Sequence, residues 1–205
     1  MGLREIKMER TRQLIADTAI ALFSEQGFDA TTIDQIAAAA EVGPRTVYRY
    51  YPTKEALVVG FTEDTLQAAL EELRGLPEET PLPHALYQVV DSVRRTIEGD
   101  SERRRVVYQV INRTRSLHAE LRRVNWRWRE SLAEEIWRRA GGHTAEMVAA
   151  LAAANIAAVV EIAIAEWARS EDSAALGLAI EQALELLRTG DVPVPAPPLA
   201  GPARV

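Results

Sequence analysis

The side chains best suited to chemistry in this 205-residue chain lie on the outward face of one short predicted helix. They are Arg45, Thr46, Tyr48, Arg49 and Tyr50. Arginine can contact guanine through two hydrogen bonds, and threonine can donate to a base or pack against a thymine methyl group. Tyrosine hydroxyls can donate to phosphate oxygens. These residue types favour contact with DNA, although a short helix of this composition is more often an ordinary solvent-exposed face.

Lys54, one of only two lysines in the chain, stands in the first turn of the next predicted helix. A cation at that position opposes the helix dipole. A phosphate bound to the free N–H groups there would remove the conflict, because helix N-termini are anion sites. We therefore predict that Lys54 clamps a phosphate.

Two short helices must position these side chains. Thr31-Thr32-Ile33-Asp34 has the pattern of a helix start, and Gly43 followed by Pro44 is a typical start for the next helix. A tight connection at Glu41-Val42-Gly43 joins them in the manner of a helix-turn-helix unit. A first helix over residues 5–26 would support the pair. Its predicted packed face consists of Leu14, Ile15, Thr18, Ala21, Leu22 and Phe23.

The stretch from Gly27 to Leu57 resembles the DNA-binding head of the tetracycline-repressor (TetR) family of bacterial regulators. The matching positions are Gly27-Phe28, Ala30-Thr31-Thr32-Ile33, Ile36-Ala37, Ala40, Val42, Thr46-Val47-Tyr48, Tyr50-Tyr51 and Lys54-Glu55-Ala56-Leu57. The resemblance covers about residues 10–57. It implies a helix-turn-helix head followed by a helical domain that encloses an effector and dimerises.

The resemblance also implies roles for single residues at the DNA backbone. Thr32 and Tyr50 would contact phosphates, and Lys54 would complete the phosphate clamp. Tyr48 would contact either the backbone or a base.

Base recognition is implied for the residues that open the second short helix, Pro44, Arg45 and Thr46. Pro44 departs from the family pattern, because many members have a polar side chain at this position. Proline offers only apolar contact, so Arg45 would take a larger part in base recognition.

Helical periodicity continues to about residue 187 and strand alternation is nearly absent, so the predicted fold class is all-α with about nine helices. The expected parts are a DNA-binding head at 1–54, an effector-binding and dimerisation domain at 55–190, and a proline-rich, disordered tail at 191–205. The most apolar run, 147–160, is expected to be too short and too polar to cross a membrane.

One predicted helix, from about 145 to 168, is apolar on nearly all sides and must therefore be covered on nearly all sides. Together with a last helix at about 173–187, it is predicted to form a four-helix interface in a homodimer. Such a dimer would present two recognition helices to half-sites about 34–36 Å apart. The alternative is a central core helix of a monomer.

Four residues of the second domain are candidates for an effector pocket, which typically combines apolar and aromatic side chains with a few polar groups. They are Tyr108, Asn112, Trp128 and Asn155. For each of them, ordinary packing is the alternative. Asn155 stands among apolar neighbours and needs a hydrogen-bond partner, which could be a ligand, a backbone carbonyl or the Asn155 of a second subunit.

The net charge of -6 argues, for the whole chain, against a DNA-binding protein. However, the charge is unevenly distributed: residues 1–54 carry seven basic and seven acidic side chains, whereas residues 94–139 carry thirteen and seven. The arginine-rich stretch 94–139 could attract an anionic effector, although such a run is more often a solvated surface.

The function predicted from the sequence is that of a cytoplasmic repressor, released from a palindromic operator by a small molecule. A constitutive DNA-binding regulator with the same fold is the alternative, and an all-α enzyme is disfavoured. The chain has no cysteine, and no histidine has a glutamate three residues before it, so thiol, zinc-finger and di-iron chemistry are not expected. We expect no catalytic residues, metal or cofactor.

Overall fold

The computed structural model describes residues 2–141, 146–170, 172 and 175–193. Over these residues the chain forms nine helices and no strand, which confirms the all-α fold class. The helices are α1 (Leu3–Gln26), α2 (Ile33–Ala39), α3 (Pro44–Tyr50), α4 (Ala56–Gly75), α5 (Leu82–Glu98), α6 (Ser101–Arg113), α7 (Arg115–Arg139), α8 (Glu146–Arg169) and α9 (Ala175–Thr189). Most of the predicted tail, 194–205, lies outside the described residues.

Local signals set the ends of α1, α2 and α3. Helix α1 stops at Gly27, whose φ of 88° is a conformation that favours glycine. The Gln35 N–H donates to Thr32 Oγ1, and the Thr32 N–H donates to Gln35 Oε1 at 2.8 Å, so a capping box starts α2. Pro44 occupies the first turn of α3. Both short helices therefore begin where the sequence predicts.

A compact apolar core fixes the orientation of α3. The Phe23 and Phe28 rings lie 4.9 Å apart between centroids, and Ile36 and Val47 are completely buried beside them. Because Val47 faces inward, the opposite side of α3 faces solvent.

The packed face of α1 differs from the predicted one. Leu14 is 51% exposed and Ala21 is also exposed, although Ile15 and Phe23 are buried as expected. The buried residues of this helix are Ile15, Ala16, Ala19, Ile20 and Phe23. The prediction was wrong by about one residue, or ~100° around the helix. Helix α1 packs against α2, α4 and α6, and the small residues Ala16 and Ala19 lie on the face that it buries there.

Helix α4 connects the head to the second domain. It starts after Thr53, whose Oγ1 accepts a hydrogen bond from the Ala56 N–H, and then packs between α5 and α7. At its far end, the buried Arg139 of α7 donates to the carbonyls of Leu73 and Leu76. These carbonyls belong to the last turn of α4 and its cap, where helical partners are missing. The chain thereby secures both ends of the connecting helix.

Helix α8 is buried on one side only. It packs against α7 and α9, while Met147, Leu151 and Ile162 on its other side are exposed. With 24 residues, α8 is longer than the run 147–160. Its length and mean hydropathy alone would allow it to cross a membrane, and 44% of its most apolar part is buried within the protein. The prediction that this segment is too short was therefore wrong. The mixture of a packed and an open face is what a helix shared between two subunits requires.

Candidate functional site

The surface of α3 displays the side chains that were predicted to contact DNA. Arg45 is exposed, Tyr48 is 53% exposed, and Thr46 and Tyr50 are partly buried. The Arg49 guanidinium lies 5.0 Å from the centroid of the Tyr50 ring, so the two side chains brace each other. Arginine and tyrosine groups thus share one solvent-facing patch, to which Pro44 adds an exposed apolar contact.

Lys54 lies two residues before α4, which begins at Ala56, so the prediction that it stands in the first turn of that helix was wrong. It has other contacts that the sequence did not predict. Its Nζ donates to the carbonyls of Phe28 at 2.8 Å and Thr31 at 3.0 Å, and it lies 4.4 Å from the centroid of the Phe28 ring. An ammonium group has three donors, so one remains for a phosphate. Lys54 therefore fixes the segment that leads into Thr32 and α2, and its predicted contact with phosphate stays a prediction.

Ion pairs join α1 of the head to the second domain. The Arg12 guanidinium bonds to Asp64 of α4 at 2.6 Å, and Arg103 of α6 pairs with Asp17. The Tyr51 hydroxyl, at the end of α3, donates to the Arg12 carbonyl at 3.2 Å, and burial raises the pKa of Tyr51 to about 12. Tyr51 therefore stays a neutral donor at ordinary pH.

Three consecutive arginines in α6 contact three different parts of the protein. Arg103 pairs with Asp17 of α1, as described above. Arg104 donates to the Phe61 carbonyl of α4 at 2.6 Å, and burial lowers the pKa of its guanidinium. Arg105 donates to the Trp167 carbonyl of α8 at 2.9 Å. Residues adjacent on a helix point about 100° apart, so the three arginines do not share one face of α6. Their consecutive positions were the one feature of the sequence that indicated different surroundings for each.

A cavity of about 250 Å³ lies between α4, α6, α7 and α8, one turn along α6 from Arg104. Tyr108 and Thr62 both line it with their hydroxyls close together, and aliphatic side chains such as Ile111 and Val160 form most of its wall. Burial raises the pKa of the Tyr108 hydroxyl, which therefore remains protonated. Among the described residues, the Thr62 hydroxyl has no aligned hydrogen-bond partner although Thr62 is only 5% exposed.

The cavity brings together two of the four predicted pocket residues. Tyr108 and Asn112 both line it. Trp128 is buried in a separate cleft against α4, beside Leu66 and Leu70. Asn155 is exposed on α8 and lines neither space.

The sequence missed several residues that line the cavity. They are Thr62 and Leu66 of α4, His118, Leu121, Arg122 and Asn125 of α7, and Glu161 and Ile164 of α8. No local pattern marks them, because the cavity is assembled from four helices far apart in the chain.

The arginine-rich stretch 94–139 is occupied mainly by bonds within the protein. Nine of its thirteen arginines bond to carboxylates, hydroxyls or carbonyls of this chain. They are Arg94, Arg95, Arg103, Arg104, Arg105, Arg123, Arg127, Arg138 and Arg139. Of the other four, Arg122 lines the cavity. Most of these arginines are therefore not available to form a broad surface that attracts anions.

Two family models match this chain. The model described as bacterial regulatory proteins of the tetR family matches residues 15–60, which contain the second half of α1 and all of α2 and α3. The model described as the MftR C-terminal domain matches residues 79–191.

Similar proteins cover most of the chain. The sequence is 31% identical over 176 residues to a Mycobacterium tuberculosis protein named as the mycofactocin biosynthesis transcriptional regulator MftR, covering 86% of this chain and 88% of that one. It is 33% identical over 196 residues to the transcriptional regulator TcmR of Streptomyces glaucescens, covering 91% and 87%.

Among solved structures, the fold is similar to that of FadR from Thermus thermophilus in complex with lauroyl-CoA. The TM-score is 0.58 at 23% identity, covering 93% of this chain and 99% of that one. A TetR-family regulator from Syntrophomonas wolfei gives a TM-score of 0.64 at 18% identity, with coverage of 92% and 98%.

Proposed function

Because this chain belongs to the TetR family of bacterial transcriptional regulators, we propose that it represses transcription by binding a palindromic operator as a homodimer. A small molecule that enters the cavity between α4, α6, α7 and α8 would release it from the operator. The protein would act in the cytoplasm by binding alone, without catalysis.

In this proposal, the bases are contacted by Pro44, Arg45 and Thr46. The DNA backbone is contacted by Thr32, Tyr48, Tyr50 and Lys54. Arg45 and Tyr48 support this assignment because both are exposed on α3 and have no partner within ion-pair or hydrogen-bond distance among the described residues. A free guanidinium on a rigid helix suits two-bond recognition of guanine in the major groove.

The observation that carries the ligand response is the position of Thr62. Thr62 lines the cavity from α4, the helix that leads out of the head, and its buried hydroxyl lies beside that of Tyr108 without an aligned hydrogen bond among the described residues. A ligand that bonds to Thr62 and Tyr108 would act on α4 and α6 together. Arg103 and Arg12 connect these same helices to α1, so a shift of α4 or α6 would change the spacing of the two heads.

The cavity favours a mainly apolar effector with a polar end. Its wall is largely aliphatic, and most of its polar groups, including Asn112, His118 and Arg122, come from α6 and α7, with Thr62 of α4 and Glu161 of α8 as the others. Lauroyl-CoA, bound in the Thermus thermophilus FadR structure, combines an apolar chain with an anionic headgroup. An acyl or aryl molecule with one polar or anionic end is therefore the class to test first.

The exposed stripe of α8 is proposed as the dimer interface, together with α9. Val148, Leu151, Asn155, Ala158 and Ile162 follow one another at spacings of three or four, the pattern of a helix that packs against another helix. Leu151 and Ile162 are each 59% exposed in the single chain. Asn155 lies in the middle of the stripe, where an asparagine can pair with its own copy across a two-fold axis.

A single introduced cysteine tests the dimer interface, because the chain contains none. Asn155→Cys should form a disulfide-linked dimer on mild oxidation at micromolar concentration. Glu102→Cys, on the exposed side of α6, should remain uncrosslinked under the same conditions. Equal crosslinking of both variants, or a monomeric mass for the unmodified protein, would contradict this interface.

The proposed function is tested by selecting binding sites from random DNA with the full-length protein and then screening small molecules against the complex. We expect an enriched palindrome with half-site centres about one helical turn or a multiple apart. Ligands that raise the melting temperature should include some that weaken operator binding at least tenfold. No enriched sequence would refute DNA recognition. Stabilising ligands that never change operator affinity would favour the constitutive regulator instead.

A further inference from the structure

The first three turns of α1 extend beyond the packed core of the head. The first buried residue of the helix is Ile15, whereas the helix itself begins at Leu3. The match to the tetR-family model also begins at residue 15. Eight further residues from Leu3 reach Thr11, a distance of ~12 Å along the helix axis.

One side of this projecting part carries cations next to the recognition helix. Arg4, Lys7 and Thr11 lie at spacings of three and four, which places them on one face of α1. Together with Tyr50, the last residue of α3, they line one open concavity on the surface.

The charges on this face are available to a partner. Among the residues that the structure describes, neither Arg4 nor Lys7 has a carboxylate within ion-pair distance. The neighbouring acids are engaged elsewhere: Glu5 accepts from the Gly2 N–H at 2.8 Å, and Glu9 accepts from Gln13 at 3.1 Å. These acids lie on the other side of α1, so the charged side chains on the face towards Tyr50 are the two cations; the exposed apolar residues Leu3 and Met8 line the same concavity.

We propose that Arg4 and Lys7 form a second phosphate-binding surface, continuous with Tyr50, that holds the backbone of the same DNA duplex read by α3. This proposal rests on the proposed function as a DNA-binding regulator. The occupant is a duplex because its backbone carries one negative charge per ~1.7 Å, and the face extends the surface on which α3 meets it. Arg4 and Lys7 are two of the seven basic side chains that balance seven acidic ones over residues 1–54, so this surface concentrates positive charge in a head that has no net charge.

The test is the salt dependence of operator binding by Lys7→Gln, measured with full-length protein between 50 and 200 mM salt. Each lost phosphate contact lowers the slope of log K against log salt by about 0.9, and a dimer loses two contacts. Consequently, between 50 and 200 mM salt, wild type should lose about tenfold more affinity for the operator than Lys7→Gln loses. Lys7→Arg, which keeps the charge, should restore the wild-type slope.

Two further measurements separate this proposal from its alternatives. Lys7→Gln should weaken binding to the operator and to a scrambled duplex alike, because phosphate contacts do not read sequence. Arg74→Gln makes the same change of net charge at the far end of α4, ~27 Å along that helix, and should leave the slope unchanged. A wild-type slope for Lys7→Gln, or an equal effect of Arg74→Gln, would overturn the second surface. Failure of wild type to select any DNA would instead refute the proposed function.

Discussion

Thr62→Val should make the ligand-free protein more stable, although it changes a buried residue. The Thr62 hydroxyl is 5% exposed and lacks an aligned partner among the described residues. A buried polar group without a hydrogen bond costs about 1–3 kcal/mol. Valine has nearly the same shape and carries no hydroxyl, so the substitution removes that cost and retains the packing.

The expected gain in the free energy of unfolding is about 1 kcal/mol, at the low end of that range because the Tyr108 hydroxyl lies close by. For a chain of this size it corresponds to a rise in melting temperature of about 2–4 °C. Thr62→Ser provides the matched control: it keeps the hydroxyl and loses the methyl group, so it should lower stability by about 1 kcal/mol.

Both variants should be compared with wild type by thermal melting and urea unfolding at one fixed protein concentration, because dimerisation makes apparent stability depend on concentration. Thr62→Val should also reduce the effect of an identified effector on operator binding, because the ligand loses a bond to α4. Equal or lower stability of Thr62→Val would refute the reasoning, since the hydroxyl would then have a partner that the cavity geometry does not provide.

Two further predictions concern Glu135 and Arg139, residues of α7 that lie near the end of α4. Glu135 is 6% exposed, and its hydrogen bond to Arg138 helps to hold its pKa below the usual value. As pH falls below about 4.5, this carboxylate binds a proton in the unfolded chain before it does so in the folded one, so the free energy of unfolding of wild type should fall there. In acid unfolding experiments, the free energy of unfolding of Glu135→Gln should depend less on pH. Arg139→Met should cost about 3 kcal/mol or more in urea unfolding, because it leaves the carbonyls of Leu73 and Leu76 without this partner and removes one of the two arginines that bond to Glu135. Arg127→Ala, which breaks a half-exposed pair with Glu63, should cost less than about 1 kcal/mol.

The sequence predicted those features that depend on near neighbours in the chain. The capping residue Thr32, the start of α3 at Pro44 and the end of α1 at Gly27 all follow from one-turn interactions, and all were confirmed. The exposure of Arg45 and Tyr48 followed in the same way, because one inward residue fixes the outward face of a short helix.

Features that depend on contacts between distant helices could not be predicted. Arg104 bonds to Phe61, 43 positions away, and Arg105 bonds to Trp167, 62 positions away, while Arg103 pairs with Asp17 of α1. Because these partners are distant in the chain, the composition of the run alone indicated a solvated surface. The contacts of Lys54 with Phe28 and Thr31 and the orphaned hydroxyl of Thr62 likewise depend on tertiary packing.

The most direct test of the central claim, base recognition by α3, is the dissociation constant of Arg45→Ala for the selected operator at fixed salt. A lost two-bond contact to a base costs about 1–3 kcal/mol in each half-site, so the dimer should bind the operator roughly thirtyfold more weakly or worse. Affinity for a scrambled duplex should change far less, and the dimer should keep its mass. Binding of Arg45→Ala to the operator within twofold of wild type, with unchanged base preference, would contradict the account.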